Sequence, residues 1–394
     1  MSAALEGITV LDLTRTLAGP FCTMQLADMG AEVVKIEEPT RGDETRYWSP
    51  SWNGTSCFYL AVNRNKRDIT INLKAQEGIE IVRKLATSAD VLVESFRTGT
   101  ADKMGIGYAA IQAINPQIIY CSISGYGRTG PLKDHPGYDL MVQAYGGLMS
   151  TTGSPEGPPM RAGYSLVDLT CGWLAYASIM TALYQRERTG EGQYVEASLL
   201  EGLFAASSYH PVNYLATGRV PAPMGQSHQA LVPYQMFHSK DGQVMVGVAN
   251  DGLWQRFCSA ANRPNLLDDP RFKTNLLRVE HREILVPIIE ELMRQKTSQE
   301  WLTVLVAAGV PCSPINNIPT LLKDPQVRFR GMMTKIPHPD IPDLEVPASP
   351  LRLSKSPATV RRYPPRHGEH TNEVLEALGY GPDEIGSLRE NGTV

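Results

Sequence analysis

Asp168 lies in the stretch Gly157-Pro-Pro-Met-Arg-Ala-Gly-Tyr-Ser-Leu-Val-Asp168-Leu-Thr-Cys-Gly172 and is the only acid between Glu156 and Glu187. Its neighbours are small or apolar, and a long apolar run follows. A carboxylate placed there is capped, paired or used. One reading is a helix N-cap or first-turn acid, stabilised by the helix dipole and free backbone N–H groups, the commoner use of an acid at a helix start. The other is a nucleophile or base at a helix N-terminus behind a Gly/Pro-rich loop, well placed to attack a carbonyl. Cys171 follows three residues later, where a thiol can have a lowered pKa. No His follows within the segment to activate it, so a small packed core residue is the simpler reading.

Two other groupings bear on chemistry. Asn63-Arg-Asn-Lys-Arg67, with Lys74, is a compact basic cluster between strands. It reads as a solvated surface loop or as a phosphate-binding site, since Arg and Lys pair with phosphate. It lacks the interleaved aromatics of a single-strand groove. No Gly-x-x-x-x-Gly-Lys-Ser/Thr loop and no Gly-x-Gly-x-x-Gly after the first strand are present, which argues against nucleoside-triphosphate and nicotinamide sites. Gly137-Tyr-Asp139 reads as a turn into a helix, with Tyr138 in packing.

The elements that must position these residues follow from pattern. Ile8–Leu13, Ala31–Ile36, Asp68–Leu73, Val91–Val93 and Ile118–Ile123 read as strands. Helical patterns occur around Cys22–Met29, Gly78–Ala86 and Leu166–Arg188, the last stopped by basic residues and Gly190. Val195–Ser207 reads as a strand followed by a helix. Strands alternating with helices imply an α/β fold with a mostly parallel sheet covered on both faces. Ligands in such sheets sit beyond the carboxyl ends of the strands, which points to Thr14–Pro20, Glu37–Arg46, Glu94–Gly99 and Ser124–Pro131. Residues 125–165 read as a long functional connection. Composition shifts at Pro221–Gly225. Beyond it Tyr234–His238 and Val244–Val248 flank the hairpin signal Lys240-Asp-Gly242, and helical patterns follow at 251–261 and 279–308.

The 394 residues exceed one usual core, so two domains are expected. The expected boundaries are 1–205 with 340–394 for the large domain, 222–335 for a smaller α+β domain, and linkers at 206–221 and 336–339. A net charge of −4 offers no global attraction to nucleic acid or anionic membrane. The six cysteines form no Cys-x-x-Cys pair, and His367 and His370 have no Cys nearby, so neither a metal site nor a disulfide framework is expected. The N-terminus lacks the pattern of a leader. The apolar run Cys171–Leu183 is shorter than a bilayer needs. A cytoplasmic, membrane-free protein is the expectation.

Taken together, several segments resemble the class III CoA-transferases, the CaiB/BaiF type typified by formyl-CoA transferase and carnitine CoA-transferase. They are Leu11-Asp-Leu-Thr-Arg-Thr-Leu-Ala-Gly-Pro20, Ala31-Glu-Val-Val-Lys-Ile-Glu37, Gly42-Asp43, Asn63–Arg67, Ser124-Gly-Tyr-Gly-Arg-Thr-Gly-Pro131, Gly137–Asp139, Val167-Asp-Leu169 and Thr189-Gly-Glu-Gly-Gln193. The segments Val232–Phe237, Lys273–Val279 and Gly309–Asn317 are similar to the small domain of the succinyl-CoA:glutarate branch. The resemblance implies a Rossmann-like large domain built from both chain ends, a small domain, and two subunits interlocked as a homodimer. It implies no cofactor beyond the CoA thioester that is the substrate, and as second partner a small carboxylic acid.

By that resemblance Asp168 is the nucleophile, passing through an aspartyl anhydride and an aspartyl-CoA thioester. A closed site would keep water from the anhydride, and backbone N–H groups at the helix start would hold oxyanions. Thr16, Leu17 and Ala18 match the first CoA-contacting loop. Ile71 and Lys74 match the strand bordering the adenine, and Ser95, Phe96 and Arg97 a contact loop. Lys103 matches a phosphate contact, and Tyr138 an active-site tyrosine. Leu17 stands where formyl-CoA transferase has a glutamine and Glu38 where it has a basic contact. Val246–Gly252 replaces its glycine-rich lid. These departures argue against formyl-CoA and oxalate. The same superfamily holds α-methylacyl-CoA racemases, but Tyr138 occupies their His position, and an unperturbed tyrosine, with a pKa near ~10, is a poor base at neutral pH. A non-catalytic CoA-binding paralogue is a further alternative. For the far end of a dicarboxylate acceptor, Arg46, Arg161 and His238 are candidates.

Overall fold

The computed structural model describes residues 3–394 and divides into two units. The first comprises residues up to Leu148, Arg161–Gly218 and Arg328–Val394. The second comprises Met149–Met160 and Arg219–Val327. The sequence boundaries put 149–160 in the large domain. In the structure that segment groups with the second unit, tied by the Gly225 N–H to the Gly153 carbonyl at 2.9 Å.

The first unit is organised by a six-stranded parallel sheet. Its strands are β1 (Thr9–Leu13), β2 (Glu32–Glu37), β3 (Lys66–Thr70), β4 (Val91–Glu94), β5 (Ile119–Ser124) and β6 (Gln193–Ser198). Their spatial order is β3-β2-β1-β4-β5-β6, the Rossmann order. Register fixes which side chains share a face, because side chains alternate along a strand. Val10 and Val33 pack with helix α1 (Ala18–Asp28) on one face, while Leu11, Val34 and Leu92 pack with helix α2 (Gln76–Ala86) on the other. The second face is closed by Val374, Leu375, Ile385 and Leu388 from the C-terminal helices, so both chain ends build this unit.

The connection 125–165, expected as one long loop, contains helix α3 (Asp139–Tyr145) and a short turn of helix at Leu148–Thr151. Helix α4 (Leu166–Thr189) follows and stops at Gly190, whose φ of 75° is the left-handed conformation that closes a helix. At 24 residues, with an 18-residue stretch of mean hydropathy 1.4, α4 is long and apolar enough to cross a membrane, unlike the shorter run read from sequence. In the fold, Val167, Cys171, Ala175 and Ile179 enter the first-face core. Helices α5 (Leu199–Ser207) and α6 (Tyr209–Thr217) come next. The strand expected at Asp68–Leu73 begins two residues earlier and ends at Thr70, because it pairs from Val33↔Lys66 to Glu37↔Thr70.

The second unit holds the antiparallel strands β7 (Tyr234–His238), β8 (Gln243–Gly247) and β9 (Cys312–Pro314) in the order β9-β8-β7. They pack with the helices at 251–260, 282–293 and 298–307 around Trp254, Phe257 and Trp301. It is an α+β unit with its own core.

A parallel sheet buried on both faces ordinarily reads as apolar. This one buries Asp12 in β1, Lys35 in β2 and Lys66 at the start of β3. The Lys66 ammonium donates to Asp12 Oδ2 at 3.0 Å, to the Pro20 carbonyl at 2.9 Å and to Asn63 Oδ1 at 2.9 Å. Burial works against the Asp12 carboxylate, but Lys66 and Lys35 outweigh it and hold its pKa down to about 2. Removing one member of such a pair leaves a buried charge alone, at a cost of about 3–5 kcal/mol. Lys66→Met should therefore lower the stability of the protein by roughly that amount in urea unfolding. A change under about 1 kcal/mol would mean that the pair is structurally idle.

Candidate active site

The turn that leaves β1 is pinned from two sides. Asp12 Oδ1 accepts the Thr14 N–H at 3.0 Å and the Thr14 hydroxyl. Lys35, fully buried, donates to the Thr14 carbonyl at 2.9 Å and to Asp43 at 3.0 Å. Asp43 in turn accepts the Thr16 N–H at 3.2 Å. Thr16 has φ 74°, which a threonine adopts only when its surroundings impose it. The chain then enters α1 through Leu17. A Cβ on Gly19 would stand 2.3 Å from the Thr14 Cβ, so only glycine lets the turn close.

The turn after β4 is held by Arg128. Its guanidinium pairs with Glu94 at 2.9 Å, donates to Ser122 Oγ at 2.6 Å and reaches the Phe96 carbonyl at 2.5 Å. Glu94 also accepts the Phe96 N–H at 2.7 Å. The loop after β5 meets the Tyr138 turn backbone to backbone. A Cβ on Gly137 would lie 2.5 Å from the Gly125 Cα. These loops leave β1, β4 and β5 at the point where the strand order reverses, and they line a half-open cleft of roughly 220 Å³.

Asp168 faces this cleft from the first turn of α4. Gly172, one turn on, lets α4 approach α1 closely, since a Cβ there would sit 2.8 Å from the Ala18 carbonyl. That contact sets Asp168 beside the Thr16–Ala18 turn. Ser165, at the N-cap position, makes no side-chain cap. Instead Asp139 Oδ2 accepts the Val167 N–H at 2.9 Å and the Asp168 N–H at 3.2 Å. The Leu166 and Leu169 N–H groups bond to Tyr164 and Ser165 carbonyls. The start of α4 thus has no N–H left for an oxyanion, contrary to the sequence expectation. The Asp168 carboxylate itself accepts no hydrogen bond among the described residues. Burial first, and the Asp139 charge second, push its pKa up to about 7. It is the first-turn acid, not the cap, and it is spare.

Known proteins resemble this chain over nearly its whole length. The model of CoA-transferase family III matches residues 5–371. The chain belongs to CoA-transferase family III. A human relative named succinyl-CoA:glutarate CoA-transferase is 42% identical over 392 residues, covering 99% of this chain and 90% of its own length. An Agrobacterium fabrum relative named succinate–glutarate CoA-transferase is 38% identical over 381 residues, covering 95% of each. The crystal structure of a CaiB/BaiF family protein from Brucella suis superposes with a TM-score of 0.85 at 36% identity, covering 96% of this chain and all of that one. The protein is an enzyme, a CoA-transferase, and CoA thioesters are the substrates of that class.

Of the residues singled out in the sequence, Thr16, Leu17, Ala18, Ser95, Phe96, Arg97, Tyr138 and Asp168 line the one cleft. Ile71, Lys74 and Lys103 do not. Ile71 is buried in the second-face core, while Lys74 and Lys103 are exposed outside the lining. The basic cluster Asn63–Arg67 is no phosphate loop. Asn63, Arg64, Asn65 and Lys66 are buried, with Arg64 paired to Asp28 and Lys66 to Asp12. Arg46 is engaged by Glu37 at 2.8 Å and by Tyr59. His238, in the second unit, bonds Glu290 at 2.9 Å. Arg161 is exposed and donates to the Ala162 carbonyl. Cys171 is buried, which raises its thiol pKa and leaves it inert at neutral pH. Arg15, Glu44, Arg128, Lys133 and His135 line the cleft and were not singled out. Arg128 lay in a quoted Gly-rich motif, and Glu44 adjoins Gly42-Asp43, but neither spacing discloses a cleft.

The glycine pair makes a sharp test. Gly137→Ala drives a Cβ into the Gly125 backbone and must displace the Tyr138 turn. A displacement of about 1 Å costs on the order of 100-fold in rate. Steady-state assays should show kcat/KM falling by that order while thermal unfolding stays close to wild type. Unchanged kinetics would show that the two loops move freely.

Proposed function

We propose that the enzyme moves CoA from succinyl-CoA to a dicarboxylic acid such as glutarate, with Asp168 carrying first the succinyl group and then CoA. The observation that carries the reading is the spare, half-buried Asp168 carboxylate facing the cleft. A carboxylate oxygen of Asp168 attacks the thioester carbonyl. The C–S bond breaks, and CoA leaves as the thiolate from a mixed anhydride. The thiolate attacks the aspartyl carbonyl, the anhydride C–O bond breaks, and succinate departs from an aspartyl-CoA thioester. The acceptor carboxylate then attacks that thioester, again expelling the thiolate. The thiolate takes the acceptor's acyl carbon and frees Asp168. No proton or electron is gained or lost overall, and each step exchanges groups of similar reactivity.

Local chemistry supports these roles. A carboxylate whose pKa is raised to about 7 is more basic than a solvated one and still ionised in good part at neutral pH. With the α4 N–H groups taken, the oxyanion would be held at the start of α1. Ala18 and Gly19 line the cleft there, their N–H groups have no acceptor among the described residues, and the helix dipole favours negative charge. Leu17 and Phe96 would flank the acyl chain. Arg15, Arg97 and Lys133 line the same cleft and make no ion pair among the described residues, so they suit the anionic ends of CoA and acceptor. The nucleotide end would run past Arg97 toward Lys103 and Lys74 on the open surface. Two copies would interlock as a homodimer, with Phe204 on α5 and Tyr209, Val212 and Leu215 on α6, all exposed, in the interface.

Succinyl-CoA incubated with a panel of mono- and dicarboxylic acids should yield glutaryl-CoA, or another dicarboxyl thioester, by mass spectrometry. Asp168→Ala should yield none. Appearance of α-deuterium in the donor acyl group in heavy water, with no acyl transfer, would select the racemase reading instead. The nucleophile is the ionised form, so kcat/KM should fall as pH drops through about 7 and level off above it. A profile flat down to pH ~5 would contradict the raised carboxyl. Light scattering on the purified protein should return twice the 43.3 kDa chain mass, and a monomer would overturn the interlocked assembly.

A further inference from the structure

We propose that Asp139 is a positioning residue: it supplies the missing cap of α4 from another helix and thereby fixes the direction in which Asp168 faces the cleft. The inference rests on Asp168 being the nucleophile. The geometry that carries it is a closed set of four hydrogen bonds. Asp139 Oδ2 takes the Val167 and Asp168 N–H groups at 2.9 and 3.2 Å. Its Oδ1 accepts Gln143 Nε2 at 2.5 Å, and Gln143 Oε1 accepts the Ala162 N–H at 2.9 Å. Asp139 and Gln143 are one turn apart on α3 and both are buried. One short helix therefore clamps residues 162–168, and its first residue follows Tyr138 directly. Asp139 touches no reacting atom in this arrangement and acts through Asp168.

The clamp has two consequences. An N–H that would otherwise draw in the Asp168 carboxylate, or a water, is occupied, so that carboxylate is left for the substrate. A second negative charge is also kept beside Asp168, where it works with burial to keep the carboxyl pKa high. Other titratable or charged groups stand around the start of α4. They are Cys171 on α4, Cys22 on α1, Glu201 on α5, Tyr138 beside Asp139, and Arg15, Glu44, Arg97, Arg128, Lys133, Asp134 and His135 around the cleft. Asp139 is the one whose charge bears on Asp168.

Two variants of the full-length enzyme separate these effects. Asp139→Ala removes both cap and charge. The paired exchange Asp139→Asn with Gln143→Glu keeps all four hydrogen bonds, because the new carboxylate accepts from the new amide and from the Ala162 N–H, while the charge moves a turn away. In Asp139→Ala, kcat should fall on the order of 10–100-fold, with KM for the acyl-CoA within roughly threefold, since the CoA contacts sit on other loops. The paired variant should recover most of kcat at neutral pH, and its acidic limb should move to lower pH, because the charge that raised the Asp168 pKa is farther off. The proposal is overturned if Asp139→Ala retains wild-type kcat. It is overturned equally if the paired variant folds yet recovers nothing and keeps the wild-type acidic limb. Should Asp139→Ala fail to fold, the limb of the paired variant decides alone. Trapping of the wild-type adduct on Asp168 is scored in parallel, and its absence would fault the nucleophile, not the clamp.

Discussion

Two buried ion pairs, Asp12–Lys66 and Lys35–Asp43, decide where everything else at the cleft can be. Both are fully desolvated, and each draws further hydrogen bonds from the turn that leaves β1. Ion pairs of this kind are weak reasons for a fold to be stable, since well-packed apolar residues of the same volume do as well. They are strong reasons for a backbone to have one conformation. Between them they grip Thr14 by its N–H, hydroxyl and carbonyl, and Asp43 holds Thr16 in the left-handed region. The start of α1 inherits that geometry and presents Ala18 and Gly19 to the cleft.

A division of labour between two helix starts follows. The N–H groups of α4 are spent on Asp139 and on local carbonyls, so Asp168 is held but not solvated by them. Among the described residues the first N–H groups of α1 have no such partner. Among the described residues one helix therefore offers an unpaired carboxylate and the other unpaired donors, across a contact so close that position 172 admits only glycine. A nucleophile next to vacant donors is what acyl transfer needs, because attack by the carboxylate puts negative charge on the carbonyl oxygen at once. In the proposed reaction Asp168 would be activated by what its surroundings withhold: water by burial, and donors by the clamp.

Much of the fold was legible from spacing. Apolar runs at β1, β2, β4 and β5, and the helical periods at α2 and α4, each reflect neighbours close in sequence or a face that repeats. Asp168 was legible as a site candidate because an acid alone in an apolar stretch demands an explanation. The buried charges were not. Arg64 and Lys66 look like a basic loop until Asp28 and Asp12, far back in the chain, are seen to neutralise them. Arg46 was misread for the same reason, its partners being Glu37 and Asp68. The role of Asp139 was hidden too. The sequence offers Asp168 itself as a cap, and only the tertiary contact shows that α4 takes its cap from Asp139. Sequence spacing reports partners within a turn or a face; charge compensation across the sheet lies outside its reach.

The central claim is that Asp168 exchanges oxygen-bound acyl groups with both acids. Turnover of succinyl-CoA with glutarate labelled with oxygen-18 in its carboxylates tests it most directly. When the second anhydride is cleaved at the acceptor's acyl carbon, the bridging oxygen, which came from the acceptor, stays on the enzyme. The peptide containing Asp168 should therefore gain oxygen-18 in its side-chain carboxyl over many turnovers, and no other peptide should. Glutaryl-CoA formed without any label reaching Asp168 would contradict the mechanism, whatever the rate.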